Sequence, residues 1–101
     1  MDIIGKNFQV QFGETRAILT FQSETTLSFS IKEIEGKAVE TSETVQVKLT
    51  ELRPRLYLVT WKEKNGNTVS QVQDYELGVV YSNWTTPDGE LKSLKGTLSK
   101  V

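Results

Sequence analysis

Glu63 is the carboxylate best placed for chemistry in this 101-residue chain. It follows Trp61 by two residues and Val59 by four. Side chains alternate along an extended strand, so that spacing sets Glu63 on the face of Tyr57, Val59 and Trp61. If that face points inward, Glu63 stands at a cavity mouth. Desolvation there raises a carboxyl pKa and suits the group to general acid or base work. Read otherwise, the strand has reached its solvated end at Lys64-Asn65 and Glu63 is surface. Carboxylates, lysines and tyrosines make up the acid–base inventory, because the chain has no histidine and no cysteine. Those zeros exclude a Ser-His-Asp triad, a thiolate nucleophile, a His-ligated metal, the usual structural zinc sites and disulfides.

Further polar groups follow Glu63 in sequence. Gln71 and Gln73 share the parity of Val69, whereas Ser70, Val72 and Asp74 take the other face. Either choice puts polar groups inside. Asp74 either orients a ligand group or caps the turn at Glu76-Leu77-Gly78 through nearby backbone, capping being the expected job. Tyr81 and Asn83 fall on one face of their strand, Ser82 and Trp84 on the other. Aromatic walls with a few placed polar groups are the usual form of a small-molecule site. Tyr57, Trp61, Glu63, Gln71, Asp74, Tyr81 and Asn83 are therefore the candidate ligand-binding residues. The competing reading is a core filled by large rings.

Other classes are disfavoured. Net charge is −1, from 12 Lys+Arg against 13 Asp+Glu, so the basic footprint of a nucleic-acid binder is missing. No glycine run has the spacing of a phosphate-binding loop. Glu33, Glu35, Glu40 and Glu43 lie close in sequence but without EF-hand spacing, so no metal is expected. No stretch approaches the roughly 18 apolar residues of a membrane span. The start, Met1-Asp2-Ile3-Ile4-Gly5, lacks a basic n-region and an apolar core, and a cytoplasmic location is expected.

The positioning elements read as strands. Val, Ile and Thr recur while Ala17 and Ala38 are the only alanines. Phe8, Val10 and Phe12 alternate with polar residues, as do Leu27, Phe29 and Ile31, and Val45, Val47 and Leu49. Ala17, Leu19 and Phe21 continue after a turn at Gly13-Glu14. The polar stretch from Lys32 to Ser42, with Gly36 inside it, reads as a long loop. Arg53-Pro54-Arg55 makes a turn, and Asn65-Gly66 predicts a hairpin of type I′. Thr86-Pro87-Asp88-Gly89 reads as a type I turn. The sum is one all-β domain over residues 1–101, an eight-stranded antiparallel up-and-down meander. Closure into a barrel removes the exposed edges, with a two-sheet sandwich as the alternative.

The run Leu52-Arg-Pro-Arg-Leu-Tyr-Leu-Val-Thr-Trp61-Lys-Glu-Lys-Asn-Gly66, then Asp74-Tyr75-Glu76-Leu77-Gly78-Val79-Val80-Tyr81-Ser82-Asn83, resembles MoaF-like domains. Gly5-Lys6 and Leu94-Lys95-Gly96-Thr97-Leu98 also fit, so the resemblance covers nearly the whole chain. It implies a lipocalin-like, calycin-type barrel. A more distant pattern is similar to the phenolic acid decarboxylases, which share the barrel and need no cofactor. Trp61-Lys62-Glu63 matches their tryptophan and catalytic glutamate. Their paired tyrosines fall at Val10 and Phe12, and their arginine falls near Lys37, which lacks the planar carboxylate-clamping fork. The departures argue against decarboxylase activity, while the shared parity implies that Val10, Phe12, Tyr57, Val59, Trp61 and Glu63 point inward.

The resulting expectation is a cofactor-independent barrel that binds a small amphipathic or aromatic molecule. Two alternatives differ in class. One is an enzyme using Glu63 as general acid or base. The other is an interaction module, or a homodimer, joined through an outer face bearing Ile18, Leu56 and Leu58.

Overall fold

Wherever an apolar residue alternates with Thr, Ser or Gln, the chain can bury one face only as an extended strand. Eight segments do so in a computed structural model that describes residues 2–101. They are β1 Asn7–Phe12, β2 Thr15–Phe21, β3 Thr26–Ile34, β4 Lys37–Arg53, β5 Leu56–Lys62, β6 Thr68–Asp74, β7 Val79–Thr85 and β8 Leu91–Lys100. Each pairs antiparallel with its sequence neighbour, and β8 returns to pair with β1, closing an up-and-down barrel. The barrel, rather than the open sandwich, is the outcome.

The expected loop from Lys32 to Ser42 is instead the end of β3, a tight turn and the start of β4. Glu35 and Gly36 both take positive φ, 52° and 80°, the pairing that a two-residue hairpin turn demands. The segment looked like loop because its cross-strand contacts are polar. Ser28 meets Thr44 and Ser30 meets Ser42, each at 2.8 Å, and Lys32 reaches Glu40 at 2.8 Å. At Asn65-Gly66 the hairpin forms, but only Gly66 has positive φ. Gly66 N–H donates to Glu63 O at 2.9 Å and Glu63 N–H to Asn67 O at 2.7 Å, so the turn is not type I′. The Asn65 side chain accepts from Asn67 N–H instead. After Thr86, Gly89 N–H donates back to Thr86 O at 2.9 Å, closing the turn read from Pro87.

The centre is filled by large side chains: Phe21, Leu27, Tyr57, Val59, Gln73 and Val80 are all fully buried. The barrel is not uniform along its axis. Residues Lys37–Gln46 of β4 pair with β3, and only from Val47 onward does β4 pair with β5. In the same way, β8 pairs with β7 over Leu91–Thr97 and with β1 over Thr97–Lys100. Two seams therefore part towards one end. The other end is covered by the N-terminal segment, where Ile3 is buried and Ile4 bridges Phe21.

Gly96 sits where β1 and β8 converge. A Cβ there would lie 2.2 Å from Gln11 O and 2.7 Å from Phe12 Cδ1, so only glycine permits the strands to approach this closely.

Candidate functional site

At the end where the seams part, the inward-facing residues are incompletely covered. Phe12, Ile31 and Trp84 are half-buried and Leu94 is exposed. Glu63 lies at this mouth. It extends the inward parity of Tyr57, Val59 and Trp61, which are buried, and is itself half-buried. Trp61 Nε1–H donates to Glu63 Oε2 at 3.3 Å. Phe29 packs against Trp61, ring centroids 6.3 Å apart. Lys92, paired across from Trp84, puts its ammonium 5.0 Å from that indole. Beside Glu63, Glu43 accepts from Lys64 N–H at 2.7 Å. An open cleft of about 450 Å³ runs between β4 and the end of β5, lined in part by Glu43, Val45, Glu63 and Lys64.

Burial is the main cause that pushes the Glu63 pKa above the ordinary carboxylate value. The Trp61 hydrogen bond pulls it down, the Glu43 carboxylate pushes it up, and hydrogen bonds with the Asn67 and Trp84 side chains pull it down again. The result is a carboxyl that holds its proton more tightly than a free glutamate while facing an opening.

Gln71 and Gln73 settle on the inner face, the choice that alternation left open. They form a ladder along β6. Tyr75 Oη–H donates to Gln73 Oε1 at 2.6 Å, Gln73 Nε2–H to Gln71 Oε1 at 2.8 Å, and Gln71 Nε2–H to Ser82 Oγ at 3.4 Å. The polar interior is thus satisfied by the chain itself, and among the described residues no buried side-chain nitrogen or oxygen lacks a partner.

The remaining candidates separate. Tyr57 is interior but lies towards the covered end, its ring 5.8 Å from Tyr75 and its hydroxyl 3.5 Å from a Glu51 carboxylate oxygen. Burial first, then Glu51, raises its pKa. Asp74 accepts from the backbone N–H groups of Glu76 and Leu77 at 3.0 and 2.8 Å, so it caps the turn. Tyr81 and Asn83, expected inside, are on the outer face: Tyr81 is 49% exposed and Asn83 accepts from the exposed Ser93. Inward parity on β7 belongs to Val80, Ser82 and Trp84, because Ser82 registers with Gln71. The apolar outer residues also disperse. Ile18 is on β2, with β3 and β4 between it and Leu56 and Leu58 on β5. Trp84, Asn67 and Glu43 join Glu63 at the mouth, though none was among the candidate ligand-binding residues. Parity with Ser82 could have indicated Trp84; nothing local points to Asn67 in its turn.

The sequence model of the MoaF-like family matches residues 4–99. The chain belongs to that family. Among solved structures, the MoaF-like chain is similar to a "putative beta-lactamase" from Burkholderia vietnamiensis, at 19% identity and a TM-score of 0.89. That match covers 100% of this chain and 97% of the other, and at such identity it establishes a shared fold. No curated protein matches.

Proposed function

We propose that this MoaF-like barrel binds a small amphipathic or aromatic molecule at its open mouth. The observation that carries the reading is Glu63, half-buried beside two indoles and kept above the ordinary carboxylate pKa chiefly by burial. Half-buried Trp84 offers ring surface, buried Trp61 anchors Glu63 through its indole N–H with Phe29 behind it, and Glu63 accepts a hydrogen bond from a donor on the ligand. The neighbouring Glu43 favours a ligand whose polar end is a donor rather than an anion. The same reading keeps the protein in the cytoplasm, where a chain without cysteines loses nothing to reducing conditions. Tryptophan fluorescence during titration with small aromatic amines and aromatic alcohols tests it. A saturable change that weakens in Glu63→Gln is expected. An unchanged signal across the series removes the proposal.

Catalysis is the second reading, favoured by the raised Glu63 pKa. Hydrolysis of a β-lactam is the activity suggested by the Burkholderia protein's name. The sequence here has no Ser-x-x-Lys and no histidine for a zinc site, so neither established route to that reaction has its residues. A chromogenic cephalosporin is therefore expected to survive incubation with the protein. Turnover that disappears in Glu63→Gln would restore the enzymatic reading.

A further inference from the structure

The covered end of the barrel holds a second cavity, remote in the fold from Glu63, of about 240 Å³. Its apolar wall is Ile3, Phe8, Leu98 and the ring of Tyr75. Phe8 and Tyr75 meet edge to face with centroids 4.8 Å apart. Its charged lining is lopsided: Lys6, Arg55 and Lys100 against Asp2. None of the three cations takes part in the ion pairs among the described residues, which use Arg16, Lys32, Arg53 and Lys92.

Arg55 is held in place by unusual means. Its backbone is left-handed, φ 68°, a conformation that costs a non-glycine residue roughly 1 kcal/mol. Arg55 Nη2–H donates to Tyr75 O at 2.6 Å, and Tyr75 N–H donates to Arg55 O at 2.9 Å. One guanidinium donor is thereby fixed, and the fork retains others that suit a planar carboxylate. The Tyr75 hydroxyl already bonds Gln73, so its ring serves as wall rather than as a polar contact. The pocket is partly open to solvent, and its volume of about 240 Å³ leaves space for one ring and a carboxylate.

We propose that this cavity is a binding site for a small aromatic carboxylate, its ring on Phe8 and Tyr75 and its anion among Arg55, Lys6 and Lys100. The site is independent of the mouth, and its ligand has the opposite charge preference.

Benzoate, benzyl alcohol and inorganic phosphate, titrated into the full ¹⁵N-labelled chain and followed by amide shifts, test it. Benzoate should give saturable shifts at Arg55, Tyr75 and Ser99 while leaving Glu63 and Asn67 unmoved. Benzyl alcohol should bind at least tenfold more weakly, and phosphate should not substitute for benzoate. Arg55→Gly removes the fork yet suits the left-handed backbone, so the variant should fold and lose most of the affinity. Lys6→Gln with Lys100→Gln, both at exposed positions, should weaken binding as well. No saturation by about 10 mM benzoate, weaker than any affinity of interest for such a site, overturns the proposal. So does unchanged affinity in Arg55→Gly, or equal binding of the alcohol.

Discussion

The two ends of this barrel solve opposite problems with the same strands. At the covered end β1 and β8 run paired, Ile3 is buried, and Tyr57 and Tyr75 pack ring to ring. At the mouth the pairing lapses along β4 and β8, leaving half-buried rings around a carboxyl that is only partly desolvated. Closure there would have to bury Glu43, Glu63 and Lys92, which is costly without full pairing. The contrast locates tight packing and a partly desolvated carboxyl in different parts of a small protein. It also sets a partly desolvated carboxyl at the mouth against Lys6, Arg55 and Lys100 at the covered end, none of them in an ion pair among the described residues.

The largest effect should come from the seam that divides the two regimes. Gly96→Ala drives a methyl into Gln11 O and Phe12, and should cost about 3 kcal/mol in chemical denaturation by prising β8 from β1. Little loss of stability would mean that the seam yields freely and that the ends are less distinct than described. Tyr75→Phe probes the covered end alone. It leaves Gln73 Oε1 buried without its donor, and should cost about 2 kcal/mol by the same measurement.

At the mouth the sign reverses. A raised carboxyl pKa means that the folded state keeps its proton to higher pH than the unfolded chain. Charged Glu63 therefore disfavours folding above its folded pKa, and the effect vanishes below the unfolded value of 4.5. Glu63→Gln should melt higher than the parent at pH 7, with the two curves converging as pH falls through that window. Melting temperatures across pH 3–7 check this, and a gap that widened on acidification would contradict the assigned burial. Smallest of all, Asn83→Ala on the outer face should change stability by no more than about 0.5 kcal/mol.

Much of the fold was legible because its alternation is strict. Leu27-Ser28-Phe29 or Val45-Gln46-Val47 can be nothing but strands with one buried face. Legibility failed where both faces carry similar chemistry. β7 has Val80, Ser82 and Trp84 on one side and Val79, Tyr81 and Asn83 on the other, so only its register against Gln71 decides the facing. The β3–β4 turn was lost for the related reason that serines, threonines and charges hold that hairpin together from outside. Glu63 was readable because it extends a clear run. Arg55 and Lys100 could not be associated, since only closure of the barrel brings positions so far apart in sequence to one cavity.

The ladder from Tyr75 to Ser82 has a direction, and that direction is a single binary variable. Each carboxamide carries a donor on one side and an acceptor on the other. Turning Gln73 alone would set its oxygen against the Gln71 oxygen and its NH₂ against the hydroxyl proton of Tyr75. The chain is fully bonded only as it stands, or with every member reversed: Ser82 donating to Gln71, Gln71 to Gln73, and Gln73 to Tyr75. Reversal would release the Tyr75 proton at the covered end and engage the Ser82 proton at the other terminus. The two glutamines must therefore switch together or not at all, and exchange in their side-chain ¹⁵N signals should show one common rate. Such a line of amides registers, at the Tyr75 hydroxyl, what the Ser82 hydroxyl does in the middle of the barrel.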